Sequence, residues 1–238
     1  MREVERAWTH FQKKIGAFIK NPKFAIARLF GRRRGWQESG EGGGLKAKNY
    51  MSYGEYLAHQ KSKLGLMRKE TLLKHDEKYR PALMERLMGN GIAKRGMNVL
   101  CLGARTGAEA KSSLDLGCFA VGIDINPGKE NKYVLYGDFH KIQFPAQSAD
   151  IVFTNSLDHA LDFGLLMSEI KRVLKPEGRL IIEIADKKEM PCPGYYESAA
   201  WESAGDIISL FLKSGFRAES ESRFRVPWEG RHFSLAFE

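Results

Sequence analysis

The chain has 238 residues, 43% of them apolar, and a formal net charge of +9. That length suits one domain with additions, and no apolar run approaches the roughly 18 residues that span a bilayer. Three cysteines (Cys101, Cys118, Cys192) with no C-x-x-C pair and no histidine cluster at metal spacing argue for a reducing compartment and against structural zinc, and no metal ligands are assigned. The charge is uneven: residues 1–35 hold ten Lys or Arg against Glu3 and Glu5, a net +8, leaving +1 for the rest of the chain.

In chain order, Phe11, Ile15, Phe18 and Ile19 fall at helical spacing with lysines elsewhere on the wheel, and Asn21-Pro22 reads as a cap and first helical position. The spacing predicts two short basic amphipathic helices over residues 1–34, ending in Arg32-Arg33-Arg34. Residues 35–44, with Glu41-Gly42-Gly43-Gly44, read as a flexible linker. Such an arm suits a membrane surface, with Trp8 at the interface, or a protein partner. Nucleic acid is less favoured, and an organellar targeting segment or a solubilising tail remains open. Residues 45–238 form the body. Helices are expected near 52–64 and 67–89, a helical cover over 50–90. Strands are expected near 97–102, 119–124, 133–136, 150–155 and 178–185, alternating with helices, which is the α/β pattern. A helix near 203–214 precedes strands over 216–224 and 231–238 around Pro227.

The stretch from Val99 to Glu109, followed by Val121-Gly122-Ile123-Asp124, is a buried strand, a glycine-bearing turn, a helix, and a second strand ending on a carboxylate. Asp124 falls about 20 residues after the turn, where doubly wound folds set an acid on a ribose hydroxyl. The turn reads Gly103-x-x-x-Gly107 with Arg105 between. It therefore lacks both the G-x-G-x-x-G that seats a pyrophosphate and the Gly-Lys-Ser/Thr of a phosphate loop. The common nucleoside left is S-adenosylmethionine, which carries ribose and adenine but no phosphate.

Five segments carry a resemblance in the right order: Val99–Gly107; Val121–Asp124; Tyr136-Gly137-Asp138-Phe139-His140 running into Phe144-Pro145; Ala149–Asn155; and Ile170–Leu180 with its Lys175-Pro176-Glu177-Gly178 turn. Over residues 95–185 the chain closely resembles a class I S-adenosylmethionine-dependent methyltransferase of the small type 11 group. The resemblance implies a Rossmann-like, doubly wound, seven-stranded sheet over 95–238, mostly parallel with the last strand antiparallel, preceded by an N-terminal helical extension. It implies helices covering the cofactor before the first strand of the sheet; Tyr50, Tyr53 and Tyr56 would line that cover or simply pack. It assigns S-adenosylmethionine to Gly103, Ala104, Arg105, Gly107, Asp124, Ile125, Asp138, Phe139 and Asn155. Two positions depart from the pattern: the family usually has an acid where Cys101 stands, near the cofactor ammonium, and a glycine where Arg105 stands. Arg105 either offers its guanidinium to the cofactor carboxylate or faces solvent.

Methyl transfer needs a base only if the accepting atom loses a proton. The segment after the fourth strand of the pattern, Asn155-Ser156-Leu157-Asp158-His159, supplies the catalytic candidates. His159 would deprotonate an acceptor, with Asp158 or Asp162 orienting its ring; alternatively Asp158 caps a helix and His159 packs. His140 is a weaker candidate. This turn lacks the Pro-Pro-aromatic run of exocyclic-nitrogen nucleobase methylases, and Cys192 reads as an incidental loop residue. Residues 186–203, with Tyr195, Tyr196 and Trp201, lie where the resemblance places an acceptor lid. The sequence therefore predicts a cytoplasmic methyltransferase, free or held peripherally at a membrane through the N-terminal arm, for a small-molecule, glycan or lipid-linked acceptor. A catalytically degenerate scaffold or an RNA methyltransferase using the basic arm are the other readings.

Overall fold

The computed structural model describes residues 35–39, 44–66, 69–89, 91–186 and 193–237. The basic helices expected over 1–34, with Trp8, and the loop residue Cys192 lie outside the described residues. In chain order the elements are β1 (Trp36–Glu38), β2 (Lys46–Lys48), α1 (Tyr53–Leu66), α2 (Lys69–Gly89), β3 (Asn98–Leu102), α3 (Ala108–Asp115), β4 (Phe119–Asp124), β5 (Val134–Tyr136), β6 (Ala149–Thr154), α4 (Phe163–Val173), β7 (Leu174–Ala185), β8 (Ala199–Ala200), α5 (Ala204–Lys213), β9 (Phe216–Phe224) and β10 (Gly230–Phe237). A single 3-10 turn, Leu157–His159, follows β6.

Seven strands form one sheet in the order β5-β4-β3-β6-β7-β10-β9. The pairs from β5 to β7 are parallel, whereas β10 runs antiparallel to both β7 and β9. The reason is connection length: α5 carries the chain across to β9, but only a short loop joins β9 to β10, and a short loop can only return the chain antiparallel. The sheet therefore has the Rossmann-like, mostly parallel architecture with an antiparallel last strand.

The central strands are apolar on both faces because both faces are covered. Leu100, Leu102, Val152, Leu180 and Ile182 enter one core with Phe163, Leu166, Ile170 and Val173 of α4 and Ile207 and Phe211 of α5. Their neighbours Val99, Cys101, Ile151, Phe153 and Ile181 point the other way, onto Tyr79, Leu83 and Leu87 of α2 and Ala108 of α3. This period-two partition of the strands into two cores makes a one-residue register slip prohibitive. Cys101 and Cys118 are buried and unbridged.

The segment expected to be a flexible linker, 35–44, instead contains a strand. β1 pairs antiparallel with β2, which pairs with β8, giving a small second sheet. The cause is a contact no local pattern reveals: Nζ of Lys48 lies 5.3 Å from the Trp36 ring centroid, so the tryptophan folds back over β2 instead of facing water. β7 also starts earlier than expected, at Leu174, with a register shift opposite Ala149 and Ile151 where Lys175-Pro176 interrupts the ladder.

Candidate functional site

β3 lies between β4 and β6, so the winding of the sheet reverses there and a crevice opens beyond its carboxyl end. The turn leaving β3 uses left-handed backbone at Gly103 (φ 67°), Arg105 (φ 45°) and Gly107 (φ 85°). A Cβ on Gly103 would stand 2.7 Å from that of Ser156, so only glycine fits. Arg105 holds the same left-handed region with a side chain, at a cost of about 1–2 kcal/mol. Two bonds enforce it: its amide donates to Oδ2 of Asp124 (2.9 Å), and Asn131 donates to its carbonyl (3.1 Å). Thr106 fastens the turn to α2 by donating to Asp76 (2.7 Å). The other oxygen of Asp124 accepts from the Asn126 amide (2.7 Å), which holds the carboxylate at the strand end.

A cleft of about 780 Å³ runs from this turn to the end of β8. Gly103, Arg105, Asp124, Ile125, Phe139, Asn155, Asp158 and His159 all line it, so the structure brings these predicted residues together. Ala104, Gly107 and Asp138 are not in its lining; Ala104 is buried behind the turn. Asp138 accepts from the Tyr53 hydroxyl and from the amide and Nδ1 of His140 (2.9 and 3.0 Å). Burial raises its carboxyl, but the bonds from His140 and Tyr53 outweigh this and hold it below the ordinary range. The carboxylate expected at adenine is thus a latch that ties α1 to the sheet.

His140 is excluded as a free base by its partners. Its Nε2 accepts from the amides of Leu161 and Asp162 (3.2 Å each), and its Nδ1 faces Asp138. Asp162 does not orient His159 either: it caps α4, accepting from the Leu165 amide (2.8 Å). The His159 ring is held instead by its Nδ1 donating to the Tyr196 carbonyl (3.0 Å) and its Nε2 accepting from Nζ of Lys63 (2.5 Å). Asp158 Oδ2 stands 3.8 Å from Nε2, beyond hydrogen bonding, and caps no helix. Burial and then the Lys63 charge push His159 down to about 3, so the ring is neutral. Burial also lowers the Lys63 ammonium, partly offset by Asp158, whose own carboxyl burial raises.

Three further lining residues escaped the sequence reading. Lys63 sits in a helix with no marked amphipathic pattern, and only the tertiary fold brings it to His159. Glu183 interrupts the apolar run Leu180–Ile184, the one signal that marks it. It accepts from Tyr79 (3.0 Å), Arg86 (2.6 and 3.1 Å) and His232 (3.1 Å). Burial raises its carboxyl, yet the His232 bond and the Arg86 charge prevail and keep it low. Glu109, in the first turn of α3, is 6% exposed and accepts from Asn155 Nδ2 (3.0 Å). Burial pushes it up to about 7 against the Arg105 charge and the Asn155 bond. Glu109 also raises the thiol of Cys101, itself lifted first by burial, so a carboxylate stands beside the position where the resemblance expects an acid.

Tyr56, 1% exposed, donates to the His159 carbonyl (3.1 Å) and closes the cleft from α1. Of the expected lid, Pro193 and Trp201 line the cleft, whereas Tyr196 is buried against His59 at 5.2 Å between ring centroids. Among the described residues there is no cluster of three metal-ligating side chains and no helix long and apolar enough to cross a membrane.

Residues 100–182, from the middle of β3 into β7, match the family model described as "Methyltransferase domain". The fold is shared with the S-adenosylmethionine-dependent methyltransferase of Aquifex aeolicus (20% identity, TM-score 0.54, 71% of this chain and 98% of that one). It is also shared with the Burkholderia thailandensis 1,6-didemethyltoxoflavin-N1-methyltransferase, solved with 1,6-didemethyltoxoflavin and S-adenosylhomocysteine (14% identity, TM-score 0.61, 82% and 96%). A third is a Thermotoga maritima methyltransferase described as a possible histamine N-methyltransferase (15% identity, TM-score 0.58, 77% and 100%). No curated protein sequence matches the chain. Residues 100–182 thus match a methyltransferase domain, and the Rossmann-like fold is the one these solved methyltransferases share. The chain's activity class is S-adenosylmethionine-dependent methyl transfer, and its cofactor is S-adenosylmethionine.

Proposed function

We propose that the protein methylates a small-molecule acceptor in this cleft. The observation that carries the reading is the shared cleft itself: Gly103, Arg105, Asp124 and Asn155 form one wall, and Lys63, Asp158 and His159 form the other. The donor set suits the cofactor. Asp124 presents a carboxylate to a ribose, Ile125 and Phe139 offer apolar faces to adenine, and Arg105 offers a guanidinium fork to a carboxylate. S-adenosylmethionine supplies the activated methyl group, so the protein has chiefly to align donor and acceptor and exclude water. Tyr56 and Trp201 line the cleft and would shield it in part from water, and a neutral body with a cleft of about 780 Å³ suits a small acceptor better than a polyanion. The Burkholderia structure, which holds a small heteroaromatic molecule on the same fold, supports this reading.

Where the acceptor must lose a proton, Lys63 receives it. Burial favours its uncharged amine, His159 remains neutral and fixes it by hydrogen bonding, and Asp158 stabilises the ammonium that results. The +8 segment at residues 1–35 would hold the enzyme at an anionic membrane surface, where a lipid-linked or glycan acceptor would meet it, or on a protein partner. The test is transfer of a labelled methyl group to panels of small amines, phenols, glycans and lipid-linked acceptors by wild type and Asp124→Ala. Transfer by wild type alone supports the reading. Cofactor binding with no transfer to any panel favours a scaffold, and transfer to RNA with steep salt dependence favours an RNA methyltransferase.

A further inference from the structure

The carboxylates lining the cleft differ in what compensates them. Asp124 is held by two backbone amides, Glu183 lies among Arg86, His232 and Tyr79, and Asp186 is 4.0 Å from Arg231. Asp158 and Glu197 share the field of Lys63 at the far end. Glu109 is the exception. It is buried beside the glycine turn and makes no ion pair among the described residues. The groups facing it are Arg105 on the turn, Asp76 and Tyr79 from α2, Cys101 from β3 and Asn155 from the end of β6. Of these only Arg105 is cationic, and Asn155 Nδ2 is shared between Glu109 and the Tyr79 hydroxyl. A buried carboxylate that faces one cation without an ion pair to it is costly, and a second cation entering the cleft would recover that cost.

S-adenosylmethionine carries two cationic centres, the sulfonium and the α-ammonium. With its ribose at Asp124, its amino-acid end would occupy the same cleft, whose lining includes Gly103, Glu109 and Asn155. We infer that Glu109 is the counter-ion for the cationic amino-acid end of the cofactor, a task no residue of the glycine turn itself performs. The inference rests on the reading that the cofactor fills this cleft. It has a thermodynamic signature. A carboxyl raised to about 7 is largely protonated at pH 5.5, so a cation that needs it ionised must displace its proton. Affinity then rises with pH between 5.5 and 7, and binding releases protons.

Calorimetric titration of the full chain at pH 5.5 and 7, in two buffers of different protonation enthalpy, tests this. The ligands are S-adenosylmethionine, S-adenosylhomocysteine and methylthioadenosine, the last lacking both cationic centres. Wild type is expected to bind S-adenosylmethionine several-fold tighter at pH 7, with proton release. Glu109→Gln should lose about tenfold or more for the two amino-acid ligands, lose the proton release, and bind methylthioadenosine as wild type does. Glu109→Asp, which keeps the charge, should retain the release. Glu109→Gln binding S-adenosylmethionine like wild type overturns the inference and leaves the cofactor site standing. Failure of wild type to bind any of the three overturns the site as well.

Discussion

Nζ of Lys63 donates to Nε2 of His159 inside the cleft, while Nδ1 of the same ring donates to the Tyr196 carbonyl. The two bonds fix one neutral tautomer and leave the imidazole no free lone pair. On the proposed mechanism the amine is therefore the proton acceptor of the pair. Lys63→Met should lower kcat by about 100-fold or more and abolish the acid limb of its pH profile. His159→Ala should cost less. The reverse order would make His159 the base. Ring titration by NMR should show the His159 pKa rising in Lys63→Met, because the positive charge Lys63 carries in the acidic range where the ring titrates is gone.

Asp124 pins the turn and, on the proposed function, also meets the ribose, so its removal would act twice. Asp124→Ala should weaken S-adenosylmethionine by about 10-fold to 100-fold, the scale of losing a hydrogen bond to a charged group. Calorimetry with the folded variant reads this, and unchanged affinity would place the ribose elsewhere.

Arg105 bears a side chain at φ 45°. Arg105→Gly relieves that conformation and should raise stability to urea by up to about 1 kcal/mol. If the guanidinium holds the cofactor carboxylate, the same variant binds S-adenosylmethionine more weakly; equal affinity would assign the contact to backbone alone.

The Glu109 carboxyl, ordinarily near 4.5 and here about 7, makes the folded state bind more protons than the unfolded state between those values. Its contribution to stability is therefore present below about pH 4.5 and lost as pH rises through 7. Without cofactor, Glu109→Gln should be more stable than wild type at pH 8, by up to about 3 kcal/mol. The difference should vanish near pH 4. Chemical denaturation at the two pH values measures it, and a destabilised variant at pH 8 would show the carboxylate to be compensated within the protein.

If the basic N-terminal residues meet an anionic surface, changing Arg32, Arg33 and Arg34 to glutamate should sharply weaken flotation with phosphatidylserine vesicles. Each basic residue at such a surface is worth about 1 kcal/mol. Equal flotation would remove the membrane reading.

How much of this was legible follows from where each signal is stored. The strand–turn–helix around Gly103 and the ribose acid at Asp124 are local patterns, since glycine spacing and apolar alternation depend only on near neighbours. The final strand pair around Pro227 was legible too, and the resemblance supplied its antiparallel direction. Other features depend on partners far along the chain. Glu109, Asn155, Tyr79 and Glu183 come from two helices, one strand interior and one strand end and acquire meaning only when the sheet gathers them. The Tyr53–Asp138 latch turns an expected ligand residue into a structural one for the same reason. β1 was hidden because Trp36-Gln37-Glu38 is too short and too close to glycine to read as a strand without its pairing to β2.

That pairing bears on when the cleft comes into being. Lys46 aligns with Ala200 across the β2–β8 ladder, and Lys48 donates to the Tyr195 carbonyl. Partners this distant in sequence are expensive to bring together and form late. As the chain leaves the ribosome, strands β3 to β6 have all their sheet neighbours before β8 is made, and β7 lacks only β10. The parallel core can form first, and the wall that separates cofactor from bulk water closes over it near the end of synthesis.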